Sequence, residues 1–157
     1  MRNAIAVGLC VVASALAASP AAATQPLGKQ AAASADPRQL VKFPEPMRLH
    51  TITSMRDHLL ALQEISESLS KADFEKAAAV AEQRLGMSSL ELHGAAHIAA
   101  FMPKPMQEIG TRMHHAASRF AIEAQNAGVG NDLRPAMASL SEVMAQCVAC
   151  HAAYRLH

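Results

Sequence analysis

From Met47 to the C-terminus, apolar residues return every three or four positions, and no stretch alternates in the manner of a strand. That period puts them on one side of a helix, so a chain like this must build its core by packing helices together. The first stripe, over 47–69, is Ile52, Met55, Leu59, Leu62, Ile65 and Leu69. The second, over 73–85, places Phe74, Ala78, Ala81 and Leu85 inward, with Gly86 as its stop. The third follows Pro103-Lys104-Pro105, where Pro105 suits a first helical turn. It carries Met106, Ile109, Met113, Ala116, Phe120 and Ala124 and is expected to end before Gly128 and Gly130. The fourth runs from Pro135 to the end through Met137, Leu140, Met144, Cys147, His151 and Tyr154. Four amphipathic helices with short connections predict an all-α fold, an antiparallel four-helix bundle. The segment 87–102, partly apolar through Leu90, Leu92, Ile98 and Phe101, has room for a short extra helix.

Composition narrows the possible functions. Lys and Arg number 14 against 13 Asp and Glu, which gives no concentrated basic face for nucleic acid. The 51% apolar content excludes a disordered chain, and three cysteines exclude a disulfide scaffold. There is no Trp and one Tyr, against nine Met. Such a core is filled by Leu, Ala and Met, or in part by a large apolar body that is not protein.

The N-terminus reads as an export signal. Met1 and Arg2 start it with positive charge, an apolar run extends from Ala4 to Ala18, and small residues through Ala23 fit a cleavage site. The run is too short to span a bilayer, so no stable membrane insertion is expected. Cleavage over 1–23 removes Arg2 and leaves 13 positive against 13 negative side chains. Cys10 lies too early for a lipoprotein signal, and it leaves with the signal. Residues 24–46, broken by Pro26, Pro37, Pro44 and Pro46, are expected to form a flexible leader, and 47–157 the folded domain.

Cys147-Val148-Ala149-Cys150-His151 is the C-x-x-C-H signature of covalent c-type haem. The chemistry sets this spacing: two thiols add to the two haem vinyl groups while the next imidazole reaches the iron. On a helix, positions three and four apart are neighbours, so all three side chains leave from one region. A redox C-x-x-C would sit at a helix N-terminus in a βαβ unit, and a zinc site would need a second Cys or Cys/His pair at suitable spacing. Neither is present after the signal is removed. The expected cofactor is one covalently bound haem c, with thioethers at Cys147 and Cys150 and His151 on the iron.

An exported helical chain ending in Cys147-Val-Ala-Cys150-His151-Ala-Ala-Tyr154-Arg155 resembles the class II c-type cytochromes, the cytochrome c prime group and its low-spin relatives. The resemblance spans 47–157, and its sharpest part is 147–155. It implies a haem-binding four-helix bundle, often a homodimer, in which Arg155 is the basic residue flanking the haem. It also places the residue on the far side of the iron in the first helix, near Ile52 to Met55. The His-rich segment between the second and third helices has no counterpart in the family pattern.

The sixth iron position separates the possible functions. Met55 as ligand gives a low-spin electron carrier; Met47 and His58 are the other candidates, and His50 is weaker. Ile52 covering an unligated face gives instead a five-coordinate site open to NO or CO. A peroxidase needs a distal acid–base residue with a second catalytic group, which the sequence lacks, so the chain is read as no enzyme. The expected setting is the periplasm, among redox protein partners. His93 with His97, and His114 with His115, are read as surface histidines; a second metal site there would need a further ligand such as Glu91.

Overall fold

The structure is a computed structural model that describes residues 36–157. The signal expected over 1–23, and the first part of the leader, lie outside the described residues. Within them the fold is all-α: helices α1 (Glu45–Ser70), α2 (Phe74–Arg84), α3 (Ala95–Ile98), α4 (Lys104–Gly130) and α5 (Arg134–Ala153). Two three-residue strands, β1 (Gln39–Val41) and β2 (Tyr154–Leu156), pair in parallel, with Gln39 opposite Tyr154 and Val41 opposite Leu156.

Each long helix begins and ends for local reasons. Prolines sit in the first turns of α1, α4 and α5, where no intrahelical N–H partner is lost. Asp73 caps α2 by accepting from the Lys76 N–H at 3.1 Å. Asn131, at φ 53°, ends α4 in the left-handed conformation, its N–H donating to the Ala127 carbonyl at 2.9 Å. The expected end of α4 before Gly128 is therefore corrected: the helix runs on to Gly130. A Cβ on Gly128 would lie 3.3 Å from Phe74 Cβ, so glycine there lets α4 come close to the start of α2.

The main core is built from small side chains locked by a few large ones. Ala77, Ala78 and Ala81 of α2 meet Ala116, Ala117, Ala121, Ala124 and Ala127 of α4, and Phe120, Ile65, Leu85 and Val143 fill the volume between helices. The packed pairs are α1 on α2, α2 on α4 and α4 on α5; α1 and α5 do not pack on each other to a similar extent. A second, smaller cluster of Val41, Phe43, Ile98 and Met106 takes in Met47, Met102, Cys150, Tyr154 and Leu156.

Two further sequence expectations are corrected here. The leader does not extend to residue 46, because Val41 and Phe43 are buried at 3% and 4% exposure and β1 pairs with β2. The prolines mask a short apolar run, Leu40, Val41 and Phe43, that has a partner at the far end of the chain. The last helix does not reach the C-terminus either. It stops at Ala153, because Tyr154–Leu156 turns extended to make that pairing.

The inward faces of α1 and α5 follow the apolar stripes at Ile65, Leu69 and Leu140 and are rotated from them elsewhere. The buried residues of α1 are Thr51, Ser54, His58, Ala61, Ile65, Ser68 and Leu69, while Met55 and Leu59 are exposed. In α5 Ala136, Ser139, Leu140 and Val143 are buried, and Met137, Met144 and Val148 are exposed.

Candidate functional site

The last turns of α5 carry Cys147, Cys150 and His151 between the two clusters. Cys147 packs against the main core, and Cys150 against the second cluster. Both are free thiols, half-buried, and burial pushes both above the ordinary thiol range. A reactive redox cysteine needs the opposite shift, and it sits at a helix N-terminus rather than at the end. His151 is exposed, and its carbonyl accepts from Arg38 Nη1 at 3.4 Å, so the strand segment and the end of α5 hold each other.

Arg155, four residues on, lies in β2. Its Nε is buried without a hydrogen-bond partner, and the nearest acidic oxygen, Asp36 Oδ2, is 3.6 Å away. A buried guanidinium nitrogen left in this way calls for an acceptor. Beside the motif, α5 presents Met137, Met144 and Val148 to the outside on one stripe with His151, at 46%, 41% and 68% exposure for the three apolar residues. On α1, Met55 and Leu59 are 38% and 71% exposed. Free thiols at this spacing, a buried arginine nitrogen without a hydrogen-bond partner and uncovered apolar stripes are features that a covalently held haem would suit.

The candidate distal residues have different surroundings. Met47 is already packed in the second cluster, together with Cys150. Met55 has a largely unused side chain on the uncovered stripe, next to half-buried Ile52. His58 is turned the other way, into the protein, where its Nε2 lies 3.2 Å from His93 Nε2. His50 is exposed.

The reading of His93 and His114 as surface residues is corrected. They are 8% exposed each, while His97 and His115 are exposed. Gly94, at φ 58°, turns the chain between 93 and 97, so the two do not share a helical face. Burial pushes His58 and His93 down to about 4, and His114 also downward, against the helping carbonyls of Leu85 and Gly86. Because the folded values lie below the usual 6.5, the unfolded chain binds more protons as pH falls. Stability is therefore full above about pH 6.5 and is lost as pH falls toward 4. The loss is on the order of a few kcal/mol. Urea midpoints measured between pH 7 and 4.5 are expected to fall steadily; a flat series would refute the buried neutral state.

No family model, curated protein or solved structure matches the chain.

Proposed function

We propose that this chain is an exported c-type cytochrome of the class II kind, a single-electron carrier holding one haem in an antiparallel bundle of α1, α2, α4 and α5. The observation that carries the reading is Cys147-x-x-Cys150-His151 at the end of α5, its thiols free and half-buried beside an uncovered apolar stripe. When bound, haem supplies an iron that cycles between ferric and ferrous by one electron.

The protein's own residues set the conditions for that chemistry. Cys147 and Cys150, one packed on each apolar cluster, would hold the group by two thioether bonds. His151 would ligate the iron. Arg155 Nε, which has no hydrogen-bond partner and only Asp36 Oδ2 at 3.6 Å, would meet a carboxylate of the group and lower the cost of keeping negative charge there. Met55 would be the second iron ligand, favoured over Met47 because it lies outside both apolar clusters. With the group bound, the apolar side chains of α1 and α5 would exclude water from the iron, which would favour the less charged, reduced state.

No helix of the described residues is long and apolar enough to cross a membrane, and the proposed site of action is the periplasm, reached by the N-terminal signal. Partners are redox proteins there, met by a nearly neutral surface. The deciding experiment is the optical spectrum of the dithionite-reduced protein, made in a host that matures c-type cytochromes. Sharp low-spin bands indifferent to CO are expected. Bands that shift with CO would replace electron transfer by gas binding at an open face, and a colourless protein would remove the haem reading altogether.

A further inference from the structure

Three histidines unused by that reading meet inside the protein, at a place the haem motif does not touch. His58 comes from α1, His93 from the turn before α3 and His114 from α4, each less than a tenth exposed. His58 Nε2 and His93 Nε2 are 3.2 Å apart, and the His93 and His114 ring centroids 5.4 Å apart.

Hydrogen bonding fixes which ring nitrogens carry protons. The Ser89 hydroxyl has one hydrogen, and it donates to the Gly86 carbonyl at 2.7 Å. Toward His93 Nδ1, 3.4 Å away, Ser89 Oγ is therefore the acceptor, and Nδ1 carries the proton. His114 Nδ1 donates to the Leu85 carbonyl at 2.8 Å. Both imidazoles are thus held as the Nδ1–H tautomer, with Nε2 a bare lone pair. Metal-binding histidines are oriented in just this way, by a carbonyl or hydroxyl behind the ligating nitrogen.

We propose that His58, His93 and His114 form a buried site for a single copper(I) ion. With metal–nitrogen bonds of about 2.0–2.1 Å, two ligands of a trigonal or tetrahedral centre stand about 3.3–3.6 Å apart. The His58–His93 pair is already close to that spacing: in the metal-free protein His58 Nε2–H donates to the bare His93 Nε2, and on copper binding that proton moves to His58 Nδ1, which leaves both Nε2 lone pairs for the ion. Among the described residues no three His, Cys, Asp or Glu groups yet close on one point, so this pair is the preset part and His114 completes the site as copper draws its Nε2 inward with Nδ1 still on the Leu85 carbonyl.

Charge selects the ion. Asp57, beside His58, is held by Arg84, and no carboxylate hydrogen-bonds to the three imidazoles. A dication placed among neutral ligands would be costly to bury, and zinc also wants a fourth ligand. Copper(I) brings half the charge and accepts three imidazoles.

The test is anaerobic titration of the purified protein with copper(I) against a chromophoric chelator. Haem-loaded protein is used, or protein with Cys147 and Cys150 alkylated if no haem is attached, so the result does not depend on the cytochrome reading. One equivalent is expected to bind, about tenfold or more weakly in His58→Gln and His93→Gln, and unchanged in His97→Gln at the exposed neighbour. X-ray absorption of the copper-loaded wild type is expected to show three nitrogen neighbours at about 2.0 Å, which decides the matter even where a variant fails to fold. Absence of binding, equal binding by the His58 and His93 variants, sulfur neighbours at the copper, or preference for zinc would each overturn the proposal.

Discussion

Replacing Cys147 and Cys150 together by serine is expected to abolish covalent haem in a host that attaches it to the wild-type chain. Haem staining of the denatured protein reads the outcome directly: one haem per wild-type chain and none in the double variant. The reason lies in how the thiols are held. Cys147 leans on the main core and donates to the Val143 carbonyl at 3.5 Å, while Cys150 lies against the cluster that includes Val41, Phe43, Ile98 and Met106. Serine is nearly the same size, so the helix and both clusters should persist, and helical circular dichroism should stay close to that of wild-type protein stripped of haem. What serine lacks is a sulfur able to form the thioether. Haem retained after denaturation of the double variant would refute attachment at these residues, and a wild-type chain without haem would refute the cofactor itself.

The helices were legible because their apolar residues repeat, but the faces those helices bury were only partly so. On α1 the strongest stripe runs through Ile52, Met55, Leu59 and Leu62, yet the protein buries the row one residue behind it. That row contains Thr51 and Ser54, whose hydroxyls donate to the carbonyls of Met47 at 2.8 Å and His50 at 3.1 Å. Each polar side chain satisfies itself on its own helix, so its burial costs little, and a hydrophobicity pattern cannot register that. His58, the third member, is satisfied by His93 from a loop, which depends on a tertiary meeting that no local period encodes. The placing of Cys147, Cys150 and His151 together needed no such help, because their spacing lies within two turns of one helix, α5. The β1–β2 pairing was hidden for the opposite reason, since its two strands of three residues lie at opposite ends of the described chain.

That displaced stripe on α1 is what gives Met55 its predicted role. Met55→Ala is expected to turn a CO-indifferent reduced spectrum into one that binds CO, as the iron loses its sixth ligand. Thioether ligation raises the reduction potential, so its loss should lower the midpoint on the order of 100 mV, within the range of about 0.8 V that axial ligands span. Met47→Ala makes the contrast. Met47 is packed among Val41, Phe43, Ile98 and Met106, so truncating it should leave the spectrum unchanged and cost stability instead, about 1–2 kcal/mol for a partly buried side chain. Met55 is 38% exposed on its uncovered stripe, so without haem its truncation should leave the urea midpoint nearly unchanged. The two variants therefore separate ligand from packing in opposite directions. A spectrum altered by Met47→Ala and not by Met55→Ala would move the distal ligand two turns toward the start of α1, where it would face the iron from the same cluster that holds Cys150.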